Sequence, residues 1–393
     1  MKVDLISEHA DPLAALGGVD AGGQNVYVSC LAAALAARGH DVVVHTRRTA
    51  LGQRAVTLPT GVWVEYVPAG PPLPIPKDDL PPYMAQFAGH LARGWRRRRP
   101  DVVHAHFWMS GLAALEAARG SIPVVQTYHA LGTVKRRWQG AADTSPRVRL
   151  AAEARLGRQA DAVLATCTDE VAELRAMGVP AERISIVPCG VDLQTFCPEP
   201  GGRPVPGRIL SIGRLVPRKG VETVVRALAE LPEAHLVVAG GSADDKEARR
   251  LAELALTLGV AGRVRVLGSV PRHQVPALMR SAQVVASVPW YEPFGLVPVE
   301  AMACGVPVIA SAVGGHLDTV AGAGLLVPPR EPLALATALR RVLEAPELRF
   351  RLGRAGARRA QERYGWPRVA EQVEQVYRQL ARGSATELLA SGS

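Results

Sequence analysis

One pattern is written twice along this chain. Short, strongly apolar runs recur as VDLIS (3–7), DVVVHT (41–46), VWVEYV (62–67), DVVHAH (101–106), PVVQTYH (123–129), AVLATC (162–167) and RISIVP (183–188). Longer Ala/Leu-rich stretches such as 26–38, 82–95 and 147–159 lie between them with helical periodicity. Runs that are apolar on both faces, with helices between, imply a parallel sheet covered on both sides. The segment FCPEPGGRPVPG (196–207) then packs four prolines and three glycines into twelve residues. It can continue neither element and reads as a linker. The alternation restarts with RILSIG (208–213), HLVVAGG (235–241), RVRVLG (263–268), VVASV (284–288), PVIAS (307–311) and GLLVP (324–328), and helices are expected over 221–231, 244–258 and 298–304. At 393 residues the chain exceeds the roughly 250–300 that one core accommodates and suits two. The expectation is an α/β protein of two facing, Rossmann-like, doubly wound domains, 1–198 and 199–365. A C-terminal helix and frayed tail follow at 366–393, with length enough to cross back to the first domain.

In open parallel sheets ligands bind beyond the carboxyl ends of the strands, so function is expected on loops of both halves, in a cleft between them. Lys and Arg number 46 against 36 Asp and Glu, a formal charge of +10. That excess favours an anionic partner without choosing among nucleic acid, lipid and a phosphorylated small molecule. Five cysteines without CxxC spacing argue against a disulfide framework or a zinc knuckle and for a reducing, cytoplasmic setting. Asp4 and Glu8 interrupt what a signal peptide would keep apolar. The uncharged window 301–315 is broken by glycine and proline and falls short of the ~20 residues of a membrane helix.

Three segments carry chemistry. The loop after the first strand holds two glycine pairs, Gly17-Gly18 and Gly22-Gly23, before a helix expected to start near Asn25. Such a loop lets backbone N–H groups approach a phosphate, although it is not GxGxxG, and Arg47 and Arg48 stand where a ribose-binding acid would serve a nicotinamide cofactor. In SIGRLVPRKG, Arg214 and Lys219 flank the turn at a strand's carboxyl end, where a guanidinium fork and an ammonium can embrace a diphosphate. In YEPFGLVPVEAMACGVPVIASAVGG (291–315), seven residues separate Glu292 from Glu300. These carboxylates suit hydrogen bonds to sugar or ribose hydroxyls, or a general acid/base pair for glycoside hydrolysis, and only geometry separates the two.

The last segment resembles the E-x7-E signature of the family-four retaining glycosyltransferases of GT-B fold. GGVDAGGQNVYV, DVVHAHFWMSG, YHALGTVK, VPCGVDLQTF and GRLVPRKG are similar to that family's other landmarks, in order, over nearly the whole chain. The nearest branches are the inositol-phosphate glycosyltransferases of mycothiol synthesis and the sucrose-phosphate synthase group. The resemblance implies that Gly22 and Gly23 meet a donor diphosphate and that Arg214 and Lys219 neutralise it as it leaves. Glu292, with the backbone of Phe294, Gly295 and Leu296, would hold the transferred sugar, Glu300 the nucleotide ribose, and Val270 the border of the base site at 268–270. His129 would contact the donor sugar near the anomeric centre. Asn25, Lys77 and Arg149 would serve the acceptor. The implied reaction moves a hexosyl group from a nucleotide sugar, UDP-linked by preference, to a small sugar or cyclitol hydroxyl, with retention and without metal or cofactor.

Two positions depart from the inositol-phosphate branch. Phe107 stands where that branch has a tyrosine, and Ala130 where it has a threonine. Each missing hydroxyl removes a bond to phosphate of roughly 1.5–3 kcal/mol, which points away from inositol phosphate itself to a related sugar or cyclitol acceptor, phosphorylated or not. His104 and His106 share one face of a strand and read as structural or site-lining rather than as a metal pair. The arginine run RGWRRRRP (93–100) reads as a solvated helix end, and neither nucleic-acid binding nor peripheral membrane contact is favoured from it. The alternatives carried forward are a sugar-nucleotide epimerase of the same fold and a transferase acting on a lipid-linked or polysaccharide acceptor.

Overall fold

In this computed structural model the described residues are 1–13, 23–199, 201–242 and 245–391, with side chains described to residue 382. Gly17, Gly18 and Gly22 lie outside them. The chain divides into two compact units, Met1–Pro188 with Trp366–Ser393, and Cys189–Gly365.

The first unit is built on β1 (Lys2–Ile6), β2 (Asp41–Arg47), β3 (Val56–Thr57), β4 (Trp63–Val67), β5 (Val102–His106), β6 (Val124–Thr127), β7 (Ala162–Ala165) and β8 (Ile184–Ile186). They form one sheet in the order β3-β4-β2-β1-β5-β6-β7-β8. Every pairing is parallel except β3 on β4, an exposed two-residue edge that has too little apolar signal to be foreseen. The second unit holds β9 (Arg208–Ile212), β10 (His235–Ala239), β11 (Val264–Gly268), β12 (Val284–Ser287), β13 (Val308–Ser311) and β14 (Leu325–Val327), all parallel, in the order β11-β10-β9-β12-β13-β14. The strands expected from the apolar runs are all present. In both sheets the order reverses once, between β1 and β5 and between β9 and β12.

Helix periodicity explains the covering layers. Helix Met84–Trp95 buries Met84, Phe87, Ala88, Leu91 and Trp95, and helix Val221–Leu228 buries Val221, Val224, Val225 and Leu228. Both are the one-stripe spacing of an amphipathic helix on a sheet. The helix expected near Asn25 begins at Gly23.

The division between units falls at 188/189, ten residues ahead of the expected 198/199. The segment after Pro188 is held by the second unit's own groups. Val191 N–H donates to the Tyr364 carbonyl at 2.7 Å, Arg280 Nη1 donates to the Cys197 carbonyl at 3.2 Å, and the Arg272 guanidinium lies 4.5 Å from the Phe196 ring centre. The final helix, Trp366–Ser391, belongs to the first unit and packs on helix Gly23–Ala37. Val369, Val373 and Tyr377 are buried there, and Glu374 accepts bonds from Arg38 Nε at 2.9 Å and Arg378 Nη2 at 2.7 Å. No described helix is long and apolar enough to cross a membrane.

The arginine run is only partly a solvated helix end. Trp95 Nε1 donates to Asp4 Oδ2 at 2.7 Å and Arg98 Nη1 to Asp4 Oδ1 at 2.5 Å, so two of its side chains turn inward onto a buried carboxylate of β1. His45 Nε2 completes the set at 2.8 Å from Asp4, while its Nδ1 lies 2.9 Å from Glu65. Burial works against charge on His45, but bonding to Asp4 and Glu65 outweighs it and pushes its pKa up to about 9. A folded-state pKa above the ordinary 6.5 means stability that is full below pH 6.5 and is lost as pH rises through 9. We expect the unfolding free energy from urea titrations to decline over that window, and His45→Gln to flatten the decline; an unchanged slope in the variant would contradict this role.

Candidate functional site

The reversal between β9 and β12 makes their carboxyl ends neighbours on either side of a crevice, the position where open parallel sheets bind ligands. After β9 the chain turns through Arg214 and a 3-10 turn, Pro217–Lys219, that ends on Gly220 at φ 73°. A Cβ on Gly220 would sit 1.9 Å from the Val288 carbonyl oxygen, so glycine alone allows this turn to lie against the strand end next door. The turn delivers Lys219, whose Nζ lies 2.5 Å from Glu292 Oε2 on the loop after β12. Burial raises the Glu292 carboxyl, but the charge of Lys219, with His316 and Arg218, holds it below its ordinary range. Glu292 is therefore a carboxylate, an acceptor and not a proton donor. Arg214 is exposed on the same turn.

Beyond Glu292 the backbone doubles back at Gly295, φ 98°, into helix Leu296–Ala303. A Cβ on Gly295 would lie 2.6 Å from the His316 ring. Phe294 is buried edge-on against Tyr364, which leaves the backbone of Gly295 and Leu296 to open the helix. On that helix Glu300 is buried and bonded by Arg272 Nη2. Burial raises its pKa, and the Arg272 charge offsets only part of that. Arg272 follows Val270 on the loop after β11, so the segment expected to border a base and the carboxylate expected to hold a ribose share one ion pair.

Sequence reasoning missed Arg272 and His316. Arg272 is one cation among many, and its only signal is adjacency to 268–270. His316 follows Gly314-Gly315, whose close approach to the backbone of Glu292 and Phe294 was not legible. His316 is fully buried, and its Nδ1 lies 3.0 Å from the Ser311 carbonyl.

The first unit gathers its own set at the carboxyl ends of β1, β5 and β6. Phe107, at φ 82°, ends β5, and its buried ring is a platform. Lys77 Nζ lies 5.7 Å and Arg149 Cζ 5.0 Å from its centre, with the His9 ring edge-on at 4.8 Å. The two cations expected at an acceptor thus converge on the residue that replaces the tyrosine. Arg149 is almost wholly buried, and its nitrogens donate to Glu153 Oε1 at 2.7 Å, Ser145 Oγ at 3.1 Å and the Ala130 carbonyl at 2.6 Å. Asn25 is buried, and its amide donates to the Asp11 carbonyl at 2.9 Å, which pins the chain before the glycine loop. Gly23 opens helix Gly23–Ala37. His129 follows β6 at φ 61°, with its Nε2 3.1 Å from His106 Nδ1. Among the described residues no three His, Cys, Asp or Glu side chains converge as a metal site.

The Arg272–Glu300 pair yields a direct test. Arg272→Ala leaves a buried carboxylate without its partner and is expected to cost about 1–3 kcal/mol in urea unfolding at neutral pH. Adding Glu300→Gln should recover most of the loss, and a variant as stable as the parent would contradict the pairing.

Residues 21–195 match the family described as Glycosyltransferase Family 4, and residues 201–359 match Glycosyl transferases group 1. The chain is 40% identical to a D-inositol 3-phosphate glycosyltransferase of Xylanimonas cellulosilytica, over 97% of each chain. It is 38% identical to the protein of that name from Kineococcus radiotolerans, over 98% of this chain and 97% of the relative. Among solved structures it is similar to sucrose-phosphate synthase from Thermosynechococcus elongatus, with a TM-score of 0.88 and 35% identity over 97% of this chain and 99% of the other.

Proposed function

The chain belongs to glycosyltransferase family 4, with the GT-B fold, and from that premise we propose that it transfers a hexosyl group from a UDP-linked sugar to a cyclitol or small-sugar hydroxyl with retention of configuration. The observation that carries this reading is the Lys219–Glu292 pair across the ends of β9 and β12, with Arg214 on the same turn. An ammonium has three N–H donors, so Lys219 can keep Glu292 in place and still bond a phosphate oxygen. Arg214 adds a planar fork for the second phosphate. Glu292, ionised, accepts from hydroxyls of the sugar, and Glu300 accepts from the ribose once Arg272 yields it.

The chemistry then needs no protein nucleophile. The bond from the anomeric carbon to the diphosphate oxygen breaks, and the leaving charge is met by Lys219 and Arg214. The acceptor hydroxyl attacks on the same face while its proton passes to a diphosphate oxygen. Catalysis consists of positioning and of preorganised charge at the leaving group. The UDP preference rests on the resemblance to the inositol-phosphate branch. The acceptor class rests on the relatives' name and on Lys77 and Arg149 around Phe107. Because Phe107 and Ala130 lack hydroxyls and Arg149 is already committed to Glu153, Ser145 and Ala130, a phosphate on the acceptor should help little.

Two measurements test this reading. Arg214→Ala and Lys219→Ala should each lower turnover with a UDP-hexose by about 100-fold or more, with folding intact by circular dichroism; near-normal rates in both would reject the assignment. In an acceptor panel of inositol, inositol monophosphates and hexose phosphates, read by mass spectrometry, Phe107→Tyr should raise kcat/KM for the phosphorylated acceptors by about 10-fold or more over the parent. No change in that ratio would remove Phe107 from acceptor selection.

A further inference from the structure

Three imidazoles, His129, His106 and His104, form a row in the first unit. His104 and His106 point to one side of β5 and are fully buried, and their ring centres lie 4.2 Å apart at 39°. The inner end of the row is fixed twice: His104 Nδ1 is 2.7 Å from the Tyr377 hydroxyl, and Nε2 is 2.8 Å from Thr127 Oγ1. At the outer end His106 Nδ1 faces His129 Nε2 at 3.1 Å. The Tyr27 ring lies 5.6 Å from His106 and 5.0 Å from His129, walling both. His129 holds a left-handed φ of 61°, an uncommon backbone for a residue with a side chain, of the kind that collects at working sites.

Burial keeps all three rings neutral, with His104 and His129 pushed down to about 3 and His106 well below its ordinary value. A neutral imidazole carries one N–H, so the contact between His106 and His129 has a direction. His106 Nε2 is buried and has no hydrogen-bond partner among the described residues. An orphaned buried N–H is rarer in folded proteins than an orphaned acceptor. The proton of His106 therefore belongs on Nδ1, where it is donated to His129 Nε2. His129 Nε2 is then an acceptor, and its own proton must sit on Nδ1.

We propose that His106 is a positioning residue that fixes His129 as the Nδ1–H tautomer, so that His129 meets the donor as a hydrogen-bond donor through Nδ1. The proposal rests on the reading above that His129 touches the donor sugar. It makes the role of His129 definite: it offers a proton to a sugar or leaving-group oxygen through a hydrogen bond and does not remove one from the acceptor. Tyr377 and Thr127 hold His104, whose tilted ring lies against His106.

The test uses the full chain with His106→Asn, His106→Gln and His106→Leu. Asparagine carries its amide where Nδ1 sits, and glutamine where Nε2 sits. The Leu and Gln variants should lose on the order of tenfold in kcat at nearly unchanged donor KM, and Asn should recover most of that loss. Long-range proton–nitrogen spectra of the parent and of His106→Asn should show His129 protonated at Nδ1 and bare at Nε2, with mixed tautomers in His106→Leu. Equal kcat across the three variants, or an Nε2–H on His129 in the parent, would overturn the proposal. His129→Ala serves as the separate control. Full activity there rejects the donor contact and the proposal with it, whereas a loss there with equal His106 variants rejects only the proposal.

Discussion

A lysine and a glutamate 73 residues apart in sequence set the geometry of the second unit's site. Their pairing is possible only because the strand order reverses between β9 and β12, so that two loops from distant parts of the chain end side by side. Gly220 then lets the lysine-bearing turn settle against the Val288 carbonyl, where any side chain would collide. The rest of the second unit's donor set follows from that junction. Glu292 stays ionised because Lys219 is there, Gly295 turns the chain into the helix that carries Glu300, and Arg272 meets Glu300 from the next loop.

The same logic operates in the first unit at β1 and β5. Asn25, Phe107, Lys77, Arg149 and His129 come from helix starts and connections at the carboxyl ends of those strands and of β6, while the sheet beneath is stitched by Asp4, His45, Trp95 and Arg98. Asp4 and His45 of the ion network lie within β1 and β2, whereas the ligand-facing groups lie beyond the strand ends. Changes in loop chemistry can therefore alter substrate selection without reaching the packing that supports it.

Much of this was legible in the chain, for physical reasons. Runs apolar on both faces announce parallel strands, and Glu292, Arg214 and Lys219 stand in loops whose turn residues mark them, with Glu300 in the helix that follows. What was not legible depends on distance in space. Arg272 carries no signal until β11 and helix Leu296–Ala303 bring it to Glu300. Trp95 and Arg98 look like part of an exposed arginine run until Asp4 is seen beneath them. The short strand Val56–Thr57 has almost no buried surface to announce it, and the boundary at 188/189 is decided by contacts of Val191, Phe196 and Cys197 rather than by the proline and glycine content of 196–207.

The central claim is transfer driven by charge at the leaving diphosphate, with the acceptor's proton leaving on the same face and no protein nucleophile inverting the centre. The most direct measurement is the anomeric configuration of the new glycosidic bond, read by proton NMR after transfer from a UDP-α-hexose. The account predicts an α-linked product, with the donor's configuration kept. A β-linked product would contradict it, since inversion requires attack from the face opposite the leaving diphosphate, which could then not take the acceptor's proton.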